Sequence, residues 1–181
     1  MLRYDIDPGH THVGFTAKHL AVSTVHGQFS KFDGFFEGPD DDVTKVRGTV
    51  TVDVASLSSR NEQRDTHLRS ADFFDVEKYP QMTFTVTGIE PVEGETFIVK
   101  GNLTIKDVTR PIALEATIEG RMPDPFGAKE RLGISAVGQL NRMDFGLNWD
   151  GVAGAVPFAS HTVKLNLDAE IVVKAAETAA A

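Results

Sequence analysis

The sequence predicts an all-β, antiparallel fold. Apolar and polar residues alternate with a period of two through most of the chain, and an apolar period of 3.6 is nearly absent. About eight such segments can be counted, the number at which a closed barrel has room for one small ligand. Two packed sheets would alternate in the same way, so patterning alone leaves barrel and sandwich both open.

The first two strands fit residues 13–20 and 25–36. In the third, Val46, Gly48, Val50, Val52 and Val54 alternate with Arg47, Thr49, Thr51 and Asp53. Residues 56–74 then break the alternation. They are polar, lack proline and begin with serines suited to capping, which predicts one short helix near 62–69. Strand character returns with Met82, Phe84 and Val86 set against Thr83, Thr85 and Thr87. Phe97, Val99, Gly101, Leu103 and Ile105 form one face of the next strand. Ile112, Leu114, Ala116 and Ile118 oppose Glu115, Thr117 and Glu119, and Leu132, Ile134, Ala136, Gly138 and Leu140 follow. Val163, Leu165, Leu167, Ala169 and Ile171 close the series. The expected organisation is one barrel domain over 1–174 with a flexible Ala-rich tail over 175–181.

Composition narrows function. The formal net charge of −8 argues against nucleic acid or anionic membranes as main partners. Zero cysteines exclude disulfides, thiolate metal sites and cysteine nucleophiles. No apolar run approaches a membrane span, so stable membrane insertion is not expected. No charged region followed by an apolar stretch opens the chain, and the expected location is the cytoplasm.

The inward faces carry a second message. The later strands run about 10 to 13 residues, roughly twice the usual length. Tilted as in a barrel, they would build a wall on the order of 25–30 Å tall. Gly48, Gly101, Ala116, Ala136, Gly138 and Ala169 lie on those faces. Small residues there leave a hollow interior or mark the bends of a curved sheet.

Several phrases are more specific than strand patterning. They are Asp7-Pro8-Gly9-His10-Thr11, Lys18-His19-Leu20, Val25-His26-Gly27-Gln28-Phe29 and Arg64-Asp65-Thr66-His67-Leu68-Arg69-Ser70. Asp72-Phe73-Phe74-Asp75, Lys78-Tyr79-Pro80, Gly101-Asn102-Leu103-Thr104-Ile105-Lys106, Val108-Thr109-Arg110-Pro111 and Asn141-Arg142-Met143-Asp144-Phe145-Gly146 follow in order. Together the chain resembles the YceI-like family. The resemblance implies an eight-stranded lipocalin-like barrel that binds polyisoprenoids or other long-chain amphiphiles. His10-Thr11 stands where the family usually shows His-Ser, and the hydroxyl is retained. Many members carry a secretion signal that is not visible here.

On that basis the expected function is non-enzymatic binding, storage or transport of a polyisoprenoid, an isoprenoid quinone or a fatty-acid derivative. A homodimer is compatible with it, and no cofactor is implied. The ligand-contact candidates are Phe15, His19, Phe29, Val50, Val52, Phe84, Val86, Leu103, Leu114, Ala136, Leu165 and Leu167. Arg64, His67 and Arg142 are head-group candidates, because a guanidinium grips phosphate oxygens in a fork. Their alternative is structural: a charge network in which Asp65 and Asp72 pair with Arg64 and Arg69, and Asp144 with Arg142. His10 and His12, with Asp5 or Asp7, could hold a metal or simply satisfy groups at the barrel rim; the rim role is preferred. Rival functions are an enzyme using His19, His67 or Arg64, and a stress-related barrel filled by its own side chains. No nucleophile elbow, Walker loop or dinucleotide fingerprint supports catalysis.

Overall fold

The computed structural model describes residues 1–176. Twelve strands are formed: β1 (Leu2–His19), β2 (Ser23–Phe29), β3 (Phe32–Gly38), β4 (Arg47–Asp53), β5 (Leu57–Ser58), β6 (Gln81–Glu93), β7 (Thr96–Ile105), β8 (Val108–Pro123), β9 (Glu130–Asn141), β10 (Val152–Ala153), β11 (Val156–Pro157) and β12 (Thr162–Ala175). Among the described residues one α-helix, α1 (Glu62–Arg69), and three short 3-10 turns interrupt them.

Ten strands form one antiparallel sheet, and β1 also pairs with β12, which closes it into a barrel. The barrel has eight staves. β2 and β3 lie end to end along β1, pairing with residues 13–19 and 2–5 respectively. β4 and β5 continue that arrangement against β3 and β2. Closure removes the sheet edges that a sandwich would leave. The barrel, which patterning left open against a sandwich, is the one the family resemblance implied, and α1 matches the expected 62–69.

Three boundaries differ from expectation, each for a local reason. β1 begins at Leu2, not Val13. Pro8 has no N–H to give the ladder, and the register with β12 jumps between Asp7 and His12. The Asp7 carboxylate accepts the Gly9 amide instead, at 2.9 Å. The expected strand over 25–36 is broken at Ser30 and Lys31, whose amides donate to the Ser56 hydroxyl at 3.1 and 3.0 Å. β12 extends to Ala175, which pairs with Leu2. The rest of the expected tail, 177–181, lies outside the described residues.

The two barrel ends are built differently. One, the helix end, carries the β1–β2 turn, the segment from Val54 through α1 to Pro80, and the long connection from Arg142 to His161. Its core packs Phe73, Phe145 and Leu147 against Leu103 and Ile105. The opposite end is closed by Leu2, Leu132, Ile171 and Val173, with Tyr4 and Ile6 beside them.

α1 is polar and, at eight residues, too short to persist alone. Asn61 caps it by accepting the Arg64 amide at 2.9 Å. Buried Asp65 then anchors it, accepting the Ser59 amide at 2.9 Å and the Ser59 hydroxyl.

Candidate functional site: an apolar cavity along the barrel

A cavity of about 430 Å³ runs inside the barrel, within the roughly 300–1,000 Å³ typical of small-molecule sites. It extends from Tyr4, Val43 and Val46 at the opposite end to Leu147, Ala159 and Ser160 at the helix end. The wall is apolar because every inward position of a closed antiparallel barrel falls on the same side of the pleat. Phe15, Phe29, Val50, Val52, Phe84, Val86, Leu103, Leu114, Ala136, Leu165 and Leu167 all line it.

The polar residues of the wall are Tyr4, Thr11, Thr83, Thr117, Arg142 and Ser160, among the described residues. Burial, then the nearby Asp40 charge, pushes the Tyr4 phenol above its ordinary value. The Ser160 hydroxyl donates to the Thr162 carbonyl at 2.8 Å and accepts the Lys18 amide at 2.9 Å. No buried side-chain nitrogen or oxygen lacks a partner among the described residues.

Small residues play two roles here. Ala116, Ala136 and Ala169 line the cavity and leave it room. Gly48, Gly101 and Gly138 do not. A Cβ on Gly101 would lie 2.4 Å from the Phe84 ring and 2.7 Å from the Thr85 carbonyl oxygen. The glycine thus permits an aromatic ring to fold over bare backbone, a device of curved sheets.

Arg142 reaches the wall with its donors spent. Its Nε donates to the Ser160 carbonyl at 3.1 Å. Nη1 donates to the Leu147 and Trp149 carbonyls at 2.6 and 2.8 Å. Nη2 donates to Asp150 Oδ1 and the Ala159 carbonyl, both at 3.1 Å. A guanidinium has five N–H groups, and all five serve the connection that covers the helix end. Its acid partner is Asp150, not Asp144. His161, then Arg142, hold the Asp150 carboxyl below the usual carboxylate range.

The remaining candidates lie off the wall. Arg64 donates to the Ser59 hydroxyl at 2.7 Å and the Ser59 carbonyl at 2.8 Å, tying α1 to the strand before it. His67 faces Asp72 at 2.8 Å, with its ring edge-on to Trp149 at 4.8 Å. His19 stacks on Phe158 at 6.4 Å on the outside of the helix end. Arg69 partners the Ala55 and Leu57 carbonyls and Glu62 rather than an aspartate.

The metal reading loses its ground in the same way. Asp7, His10 and Glu170 bring potential ligand atoms within 4.8 Å of one another, but His12 and Asp5 are not in the group. Arg131 already sits there, donating to Asp7 at 3.2 Å and to Glu170. Glu170, then Asp124, raise its pKa further, so the position a cation would take is filled by a permanent one.

The model of the YceI-like domain matches residues 4–171. The chain belongs to the YceI-like family. This YceI-like protein is 38% identical over 148 residues to the UPF0312 protein plu2095 of Photorhabdus laumondii, covering 82% of this chain and 76% of that one. BcnA of Burkholderia cenocepacia has the same fold, with a TM-score of 0.80 at 22% identity over 92% of this chain and 99% of that one. A polyisoprenoid binding domain from Saccharophagus degradans superposes with a TM-score of 0.68 at 16% identity, covering 95% and 99%.

Most of the wall of this YceI-like barrel was open to inspection in the sequence, since inward strand positions are countable. Tyr4, Val43, Leu147, Ala159 and Ser160 were not anticipated. They come from bulged or connecting segments with no period to reveal their direction.

Proposed function

We propose that this protein binds and shields a long apolar chain in the barrel, as a carrier or store for a polyisoprenoid, an isoprenoid quinone or a fatty-acid derivative. The observation that carries this reading is the continuous apolar cavity along the barrel, in which the side chains of Thr11, Thr117, Arg142 and Ser160 are bonded within the protein. Membership of the YceI-like family and the likeness to a polyisoprenoid binding domain support it. The driving force is removal of the chain from water, about 0.8 kcal/mol per CH₂, offset in part by the ordering of a flexible ligand.

The wall also favours a carrier over an enzyme. Ser160 and Arg142 hold the barrel closed, and Arg64, His67 and His19 do not face the cavity. The ligand is therefore read as an apolar tail whose polar group, if it has one, stays outside. Native mass spectrometry of the purified protein tests the reading. A non-covalent adduct with the mass of a long-chain lipid, lost when Ala136→Leu narrows the cavity, is the expected result. A ligand-free parent that also ignores added prenyl alcohols would overturn it.

A further inference from the structure

We propose that the β10–β11 hairpin and the adjoining β1–β2 turn form a tip that docks on the surface of a neutral lipid bilayer. The inference rests on the carrier reading and adds where the cargo enters. From Gly151 to Ser160 the chain has no charged side chain. Val152, Val156 and Phe158 are nonetheless 56%, 37% and 36% exposed, and Val22 in the neighbouring turn is 83% exposed. The two segments are held together: the Leu20 amide donates to the Phe158 carbonyl at 3.1 Å, and His19 bridges to Ala159. Leu20 and Ala21 have φ values of +50° and +56°, a region that residues with a Cβ avoid unless the surroundings enforce it. Apolar side chains kept in water by a constrained turn call for an apolar partner.

Three observations make that partner a bilayer. First, the tip is continuous with the cavity, since Ala159 and Ser160 follow the hairpin directly and line the wall. An apolar chain leaving a membrane would pass from the uncharged tip to the apolar wall, where the one charge, the Arg142 guanidinium, is already spent on the connection that covers this end. Second, a hairpin of two two-residue strands is small against the roughly 1,000 Å² a specific protein interface needs. Third, charge fits a neutral surface. The protein carries −8, which opposes anionic lipid; at the hairpin base Arg142 and His161 both pair with Asp150, and the exposed Lys18 beside Ser160 donates to the Thr24 hydroxyl. The opposite end also exposes Val92, Met122 and Phe126, but Glu93, Glu95, Arg121 and Asp124 are interleaved with them. Of these, Glu93, Glu95 and Arg121 are exposed and would have to give up water on docking.

Trp149 is the sole tryptophan and stacks on Phe158 at 6.4 Å, so its emission reports on the tip. The full chain is floated with phosphatidylcholine vesicles while that emission is followed. The parent should partition onto the vesicles with a blue shift, and less so when phosphatidylserine is added. Val152→Asp with Val156→Asp should lower partitioning by about tenfold or more, while Val92→Asp with Met122→Asp leaves it unchanged. Circular dichroism checks that both exposed-site variants fold. The proposal is overturned if the parent does not bind, or if the opposite-end variant is the one that loses binding. It is also overturned if the tip substitutions only dissolve a dimer, which would make a second copy the occupant. Prenyl alcohol binding, measured without vesicles, separates the two readings. Cargo binding without vesicle binding removes the docking tip alone; vesicle binding without cargo binding removes the carrier.

Discussion

Arg142 has five N–H donors and five acceptors drawn from residues 147–160, so one side chain organises the cover of the helix end. Lysine keeps the charge but brings three donors and no fork. Arg142→Lys should cost about 2–4 kcal/mol in urea unfolding. It should leave the ratio of affinities for a prenyl phosphate and the matching alcohol unchanged. A selective loss of the phosphate would show that Arg142 reads a head group after all. Phe145 is 2% exposed in the same cluster, and Phe145→Ala should cost about 3–5 kcal/mol; a cost under about 1 kcal/mol would mean the cluster repacks freely. The sequence marks Arg142 as notable but cannot name its partners, because carbonyls offered by an irregular connection leave no pattern. Arg64 shows the same limit. Helical spacing correctly sets it beside His67 and Leu68, yet nothing local says how the helix is turned, and of these only Leu68 reaches the cavity.

At the scale of elements, two short segments are held by single aspartates. Asp65 fixes α1, and Asp65→Ala would leave the buried Ser59 amide without an acceptor. A loss of about 1–3 kcal/mol is expected, seen as a lower urea midpoint with an unchanged m-value. Asp124 organises the β8–β9 connection by accepting the Phe126 and Ala128 amides, at 2.9 and 2.8 Å, and Arg131 Nε at 2.5 Å. The Ala128 amide, then Arg131, lower its pKa below the usual carboxylate range. Its stabilising effect is therefore complete above the ordinary carboxylate value and is lost only as pH falls through the depressed one. The Phe126 and Ala128 amide shifts should titrate together below that ordinary value; a midpoint at the ordinary value would dissociate Asp124 from the loop. Elements were largely legible because alternation marks each long strand and its break marks the helix, although the cap is Asn61 and not one of the expected serines. The exceptions, the early start of β1 and the break between β2 and β3, arise where Pro8 and the Ser56 hydroxyl alter the ladder through contacts that propensity does not encode.

For the whole molecule, closure of eight staves turns eight amphipathic strands into one apolar interior, and the alanines on the wall keep part of it empty. The reading of a hollow interior holds for those alanines and fails for the glycines, which neighbouring rings and carbonyls cover. Because apolar burial is non-directional, affinity should depend on how much chain the cavity accepts rather than on head-group chemistry. The most direct test is a calorimetric titration of the parent and Ala136→Leu with prenyl alcohols of increasing length. The account predicts that parent affinity climbs with length and then levels off, while Ala136→Leu levels off at a shorter chain and stays within about 1.5 kcal/mol of parental stability. Affinities that are independent of length, or identical curves for the two proteins, would contradict it.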